Sequence, residues 1–147
     1  MVKVSEFSDI CLSTAEYKKI CIGNFIFWSQ EEEYYSLGFG TELKLIKNSK
    51  KKTIKISKEF YSNGATVPFF LKKIIPPVGR NYDTACFYHD FLYTYGPVHG
   101  ISRLEADEIF YQIMKICEVN FFLRRFLFVI VRIFGRAFFA KISQANQ

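Results

Sequence analysis

The residue pattern changes at Asn63-Gly64, and this change constrains the fold more than any other feature of the chain. Before it, β-branched and aromatic residues dominate and partly alternate with polar ones, which is typical of strands. After it, helix start and stop signals frame segments with apolar residues at helical spacing. Strands followed by helices predict an α+β fold. We expect one domain over residues 1–147, mainly β over residues 1–60 and mainly α over residues 61–147.

Strands are predicted in the β part at residues 24–30, 33–46 and 52–60. The lysine-rich run at residues 47–52 contains Asn48-Ser49 and is a turn signal, so it should join two of these strands in a hairpin. Its lysines are interpreted as a solvated hairpin tip, with a binding patch as the alternative. The β part should therefore form a small antiparallel sheet.

Helices are predicted in the α part at about residues 69–75, 81–95, 103–117 and 121–142. Prolines and glycines end the first two helices. Ser102 with Glu105 forms a capping box before the third helix, and Asn120 can cap the last one.

Residues with catalytic chemistry lie on the second and third of these helices. His89 and Tyr93 are four residues apart and share a helix face, while Asp90 points away from them. Because the connection to the next helix is short, the two helices should be antiparallel neighbours, and Asp107 can then face His89 and Tyr93. A carboxylate there would fix the histidine tautomer and stabilise the imidazolium. Asp90 stays available for a hard cation.

Two structural alternatives stand beside this hypothesis. A histidine on an aromatic-rich helix often serves only in packing. Asp107 could also form a salt bridge with Arg103, one turn earlier on the same helix.

The two helices resemble the catalytic pair of the phospholipase A2 superfamily, especially its compact bacterial and fungal branch. The resemblance rests on ACFYHDFLYTYG followed by SRLEADEIFYQIM. It implies that His89 is the general base that activates a water and that Asp90 binds Ca²⁺. It also implies that Tyr93 and Asp107 orient the histidine.

A longer resemblance covers nearly the whole chain. The chain is similar to an uncharacterised family of phage and prophage proteins, DUF1353, over YSNGATVPFFLKKIIPPVGRNYDTACFYHDFLY, SRLEADEIFYQIM and VRIFG. This resemblance implies the fold and a phage setting, and no reaction. The protein would be made in the host cytoplasm and could end in the virion or at a membrane surface. No signal peptide is expected, because the first residues lack an apolar segment.

The chain departs from secreted phospholipases at the calcium loop. Their glycine-rich loop is missing, and its nearest counterpart is the segment 62–68, where Asn63 could offer a side-chain oxygen. One carboxylate with carbonyls and water would bind Ca²⁺ weakly. Cys86 and Cys117 should lie too far apart on antiparallel helices to form a disulfide.

The last predicted helix is apolar but interrupted by cations. From Val119 to the end the chain carries five Lys or Arg residues and no Asp or Glu, which favours an anionic partner. Its longest apolar run is too short to span a bilayer. Arg125, Arg132 and Arg136 fall near one face, so the helix could contact a membrane surface or a partner protein. Alternatively it covers the core with its arginines outward. Nucleic acid is not expected, because no base-reading motif accompanies the charge.

These observations give two functional hypotheses. The first is a small phage-associated hydrolase, phospholipase A2-like, acting on a phospholipid or another envelope ester in a groove. The groove would be lined by Phe69, Phe70, Leu71 and Phe87. The second is a non-catalytic virion or tail accessory protein that contacts other virion proteins. A weaker third is a peripheral membrane-binding protein without turnover.

Overall fold

The structure of the protein, a computed structural model, describes residues 2–7, 15–21, 31–37, 40–57, 60–62 and 81–145. The strands are β1 (Val2–Phe7), β2 (Ala15–Cys21), β3 (Glu31–Leu37), β4 (Thr41–Lys47), β5 (Lys50–Ile56) and β6 (Tyr61–Ser62). The helices are α1 (Asp83–Tyr95), α2 (Arg103–Ile116) and α3 (Phe121–Ala145), with a 3₁₀ turn at Gly96–His99. Strands precede helices, so the predicted α+β fold is confirmed.

The strands form two antiparallel sheets of three strands each, in the orders β1-β4-β5 and β2-β3-β6. Buried residues alternate with more exposed ones along β4, as expected for a sheet with one covered face. The buried apolar side chains of the first sheet are Val2, Val4, Leu43, Leu45, Ile54 and Ile56. They form one core with the apolar residues of the helices.

The predicted strand at residues 33–46 is wrong as a single element. β3 and β4 belong to different sheets, so the chain changes sheet between Leu37 and Thr41. Gly40 lies at this change, where a Cβ atom would come within 3.3 Å of the Ile56 carbonyl oxygen. The expected strand at 52–60 begins earlier, at Lys50, and ends at Ile56. The predicted strand at 24–30 and helix at 69–75 lie outside the described residues.

The predicted hairpin between β4 and β5 is confirmed. Asn48 and Ser49 both have positive φ angles, 51° and 61°, and Lys47 pairs with Lys50 across the two-residue turn. Lys50 is exposed, as expected for a solvated hairpin tip. The same interpretation is wrong for Lys47 and Lys52. The Lys47 ammonium donates to the Gly100 carbonyl at 2.6 Å, and Lys52 donates to the His99 carbonyl. The hairpin therefore holds the connection between α1 and α2.

Local signals set the ends of the helices. The Ser102–Glu105 capping box is present, with Glu105 N to Ser102 Oγ at 3.3 Å and Ser102 N to Glu105 Oε2 at 2.9 Å. The Asn120 side chain accepts from the backbone N–H of Phe122 at 3.0 Å, which caps α3 as predicted.

Hydrogen bonds place the start of α1 beside the end of α2, as in an antiparallel pair, and join α2 to the first sheet. Asn81, just before α1, donates to the Cys117 carbonyl just after α2, at 3.3 Å. The Gln112 side chain of α2 bonds to the backbone of β1, accepting from Val4 N at 2.9 Å. Cys86 is buried and Cys117 is half-buried, and no disulfide joins the two. Among the described residues, no helix has the length and apolar character needed to cross a membrane.

Candidate active site

Asp107 is the centre of a buried polar cluster. It lies in the second turn of α2, has 0 % exposure, and accepts hydrogen bonds from side chains of α1. His89 Nε2 donates to Asp107 Oδ1 at 2.8 Å, and the Tyr93 hydroxyl donates to the same oxygen at 2.6 Å. The prediction that the His89 and Tyr93 side chains lie within hydrogen-bonding distance of Asp107 is therefore confirmed.

The surroundings of His89 fix its tautomer. Its imidazole contacts the rings of Tyr93 and Phe110, with centroid distances of 4.1 Å and 4.7 Å, and the residue is 7 % exposed. A carboxylate can only accept, so Nε2 carries the proton that Asp107 receives in the hydrogen bond. In the neutral imidazole, Nδ1 then holds a lone pair. Nδ1 is the atom of His89 that can accept a further proton.

The second oxygen of Asp107 faces two arginines. Arg103 NH1 donates to Oδ2 at 3.2 Å, and Arg132 Nε lies 3.6 Å from the same atom in an ion pair. Arg132 also donates to Glu108 at 3.3 Å. The Arg103 salt bridge, expected as an alternative to the His89 contact, thus exists together with it. Since these partners come from α1, α2 and α3, the Asp107 carboxylate joins all three helices.

Burial favours the neutral form of His89. Burial lowers the pKa of His89 below its ordinary value of 6.5, Asp107 opposes this change, and the Arg103 charge adds to it. Burial and the Asp107 carboxylate raise the pKa of the Tyr93 phenol, which remains a hydrogen-bond donor. A neutral imidazole with a lone pair on Nδ1 is the form that a general base requires.

Gly135 of α3 allows Tyr93 to reach Asp107, and the sequence interpretation missed it. A Cβ atom at Gly135 would overlap the Tyr93 hydroxyl and would lie 3.1 Å from the ring carbon that carries it. Glycine inside a helix costs about 1 kcal/mol relative to alanine, so a glycine in mid-helix is a signal of close approach. That signal was present in the sequence, but the contacting residue could not be read from it.

Of the two predicted calcium ligands, Asp90 and Asn63, the described residues include Asp90. Asp90 is half-buried next to His89 on α1, and Asn63 lies outside the described residues. Within the ranges that the structure describes, no three or more His, Cys, Asp or Glu side chains are grouped to hold a metal ion. Calcium binding therefore stays a prediction.

The predicted substrate groove lies mostly outside the described chain. Phe69, Phe70 and Leu71 are not among the described residues. Phe87 is buried and its ring packs edge-on against Phe60 at a centroid distance of 5.4 Å. Phe87 is therefore a core residue, and the groove stays a prediction.

The three arginines predicted to contact a membrane or a partner differ in position. Arg125 and Arg136 are exposed, whereas Arg132 is half-buried and paired with Asp107 and Glu108. Arg132 is therefore a part of the polar cluster, which the sequence interpretation did not foresee. The membrane or partner contact of these arginines stays a prediction.

The fold and the cluster define an α+β protein in which a histidine-aspartate pair is held between antiparallel helices. The chain belongs to the family described as "Protein of unknown function (DUF1353)", whose model matches residues 40–131. The matched segment includes β4, β5 and both site helices, and it ends one residue before Arg132. Neither a curated protein nor a solved structure matches the chain.

Proposed function

We propose that this protein is a small hydrolase of carboxylic esters, similar in its site to the phospholipases A2, with His89 as the general base. The observation that carries the proposal is the 2.8 Å hydrogen bond from His89 Nε2 to Asp107 Oδ1, with the Tyr93 hydroxyl on the same oxygen. This arrangement leaves Nδ1 to activate a water molecule.

The reaction balances with water as the sole co-reactant. Nδ1 of His89 accepts a proton from a water whose oxygen attacks the ester carbonyl carbon, forming a tetrahedral intermediate. The intermediate then collapses, the bond to the alcohol oxygen breaks, and the imidazolium returns its proton to that oxygen. The products are a carboxylic acid and an alcohol, and His89 is neutral again.

The neighbours of His89 act as positioning residues in this scheme. Asp107 holds the ring through Nε2 and stabilises the imidazolium while it exists. Tyr93 and Arg103 donate to the two oxygens of Asp107 and so keep the carboxylate in one orientation. Burial is the largest cause of the lowered pKa of His89, and the Arg103 charge adds to it by offsetting part of the Asp107 charge.

The proposed substrate is a phospholipid or another ester of the cell envelope, in a phage setting. The resemblance of the two helices to phospholipases A2 supports the lipid, and the similarity to phage and prophage proteins supports the setting. Ca²⁺ at Asp90 and Asn63 is a separate proposal that rests on the resemblance alone. An Asp90→Asn variant should raise the calcium concentration that half-activates hydrolysis, because it removes the charged ligand.

The test is release of fatty acid from vesicles of phosphatidylglycerol and phosphatidylcholine, with calcium and with a chelator. The wild-type protein should release fatty acid, and His89→Ala should reduce the rate by at least about a hundredfold because the general base is gone. His99→Ala is the matched control, since His99 is half-exposed in the α1–α2 connection, and it should retain the rate. No release by the wild-type protein, or equal rates for wild type and His89→Ala, would contradict the proposal.

A second candidate is a non-catalytic virion or tail accessory protein, and one observation favours it. Asp107 is fully buried and joins α1, α2 and α3 through His89, Arg103 and Arg132, as a structural cluster would. In that case His89→Ala would lower the melting temperature while no ester is hydrolysed by the wild-type protein. The same vesicle assay, run beside thermal melts, separates the two candidates.

A further inference from the structure

The side of α3 that faces away from the core carries an apolar stripe. Phe122, Phe126, Val129 and Ile133 are 79 %, 43 %, 50 % and 65 % exposed. Their spacings of four, three and four residues place them on one helix face, here called the outer stripe. Leu127, on the opposite side of the helix, and Ile130, beside the stripe, are both buried. The exposed side of a helix at a protein surface is normally polar, so a continuous apolar stripe there indicates a contact surface.

Cations border the outer stripe, and α3 has no carboxylate to balance them. Arg125 and Arg136 are exposed and lie three residues from Phe122 and Ile133, along one edge of the stripe. Between Phe121 and Ala145 the sequence contains no Asp or Glu. The half-buried Arg132 is directed to Asp107 and Glu108 instead, so it does not belong to this border.

We propose that the outer stripe binds the surface of an anionic phospholipid bilayer. The helix would lie parallel to the bilayer, with Phe122, Phe126, Val129 and Ile133 among the upper acyl chains. Arg125 and Arg136 would then lie at the level of the phosphates. The stripe extends over about 16 Å of helix at 1.5 Å per residue, which provides several side chains for insertion.

The charges favour a bilayer over a second copy of the chain. If two α3 helices packed through their outer stripes, the cationic borders of both copies would meet without a carboxylate on either helix to pair with them. An anionic bilayer offers both an apolar interior for the rings and phosphates for the guanidiniums. This inference does not require hydrolysis, because binding and turnover use different residues.

Sedimentation of the full chain with vesicles tests the inference. Wild-type protein should sediment with vesicles of equal parts phosphatidylglycerol and phosphatidylcholine, and much less with pure phosphatidylcholine. The Phe122→Ser/Ile133→Ser variant should lose at least about tenfold in partition coefficient, since two apolar side chains no longer insert. Arg125→Gln/Arg136→Gln should weaken binding and reduce its salt dependence. Leu104→Ser, which removes an exposed apolar residue from α2, is the matched control and should bind as the wild type does.

Three results would overturn the inference. The first is wild-type protein that stays in the supernatant with anionic vesicles. The second is a Phe122→Ser/Ile133→Ser variant that binds as the wild type does. The third is a wild-type protein that is a dimer in sedimentation equilibrium and becomes a monomer in this variant. His89→Ala should bind vesicles like the wild type. Binding and hydrolysis are therefore measured separately. Wild-type protein that binds vesicles without hydrolysing them contradicts only the proposed function, and wild-type protein that hydrolyses lipid without sedimenting contradicts only this inference.

Discussion

Asp107 and the outer stripe of α3 both lie on the helices, but Asp107 is a charge in the interior and the outer stripe is an apolar surface exposed to solvent. Asp107 is fully buried and surrounded by His89, Arg103 and Arg132, whereas the outer stripe presents phenylalanine and aliphatic side chains to solvent. The first sheet follows the usual rule, with Leu43 and other apolar side chains inside.

Neither arrangement is the one that stability alone would favour. A buried ion pair is often no more stable than well-packed apolar side chains of similar volume, and exposed rings lose the benefit of burial. Positions where a sequence departs from the rules of stability are expected at functional sites. The buried cluster around Asp107 is therefore the candidate for chemistry, and the outer stripe is the candidate for contact with a partner.

The largest expected effect concerns the buried charge. Asp107→Asn should lower the free energy of unfolding by about 3 kcal/mol, because it leaves two guanidiniums without their shared carboxylate. Urea denaturation measures this difference. Glu108→Gln is the matched control: it removes the neighbouring, exposed partner of Arg132 and should cost less than about 1 kcal/mol. Equal losses in the two variants would show that Asp107 does not centre the cluster.

Two isoleucines on α3, only three residues apart, compare a buried position with an exposed one directly. Ile130 is 6 % exposed and Ile133 is 65 % exposed. Ile130→Ala should lower the free energy of unfolding by about 2 kcal/mol because it leaves a cavity. Ile133→Ala should change it by no more than about 0.5 kcal/mol. Chemical denaturation of both variants measures these changes. Similar losses of unfolding free energy in the two variants would mean that the outer stripe is covered by the protein itself.

A smaller effect is expected where α3 meets Tyr93. Gly135→Ala should lower the free energy of unfolding by about 1 kcal/mol, since overlap with the Tyr93 hydroxyl exceeds the gain in helix propensity. In a Tyr93→Phe background the same substitution should cost less, because the overlapping hydroxyl is gone. A double-mutant cycle measures this coupling, and strict additivity of the two substitutions would argue against the contact.

The smallest effect is a pH dependence from His89. Its pKa is lowered in the folded state from 6.5, so the unfolded state binds the proton more readily. Stability is therefore fully present above about pH 6.5 and declines as the pH falls from there through the folded-state pKa. His89→Gln should lack this part of the decline, when unfolding of both proteins is followed between pH 7 and about pH 5. Parallel curves for the two proteins would contradict the lowered pKa.

Local signals made the helical part predictable. The capping box at Ser102 and Glu105 and the cap at Asn120 fix helix starts through contacts only a few residues apart. The short connection then brings α1 and α2 together, so that His89 and Tyr93 meet Asp107. These relations depend on helix geometry and a short connection, which explains why the sequence was sufficient to predict them.

Long-range packing explains what the sequence did not reveal. Membership of β3 and β4 in different sheets depends on pairing with distant strands, and no local feature of the run 33–46 reports it. The Arg132–Asp107 ion pair and the Gly135–Tyr93 contact arise because α3 packs across the first two helices. The sequence predicts the helix face on which Arg132 lies, but it does not show whether that side chain faces solvent or Asp107.

The tautomer of His89 tests most directly the central claim, that Asp107 holds the imidazole through Nε2 and leaves Nδ1 as the base. Nitrogen-15 chemical shifts and long-range couplings of the ring distinguish the three forms of histidine, and a His99→Gln variant assigns the signals. At neutral pH we expect a neutral ring protonated at Nε2, and loss of this preference in Asp107→Asn. A ring protonated at Nδ1, or an imidazolium at neutral pH, would contradict it.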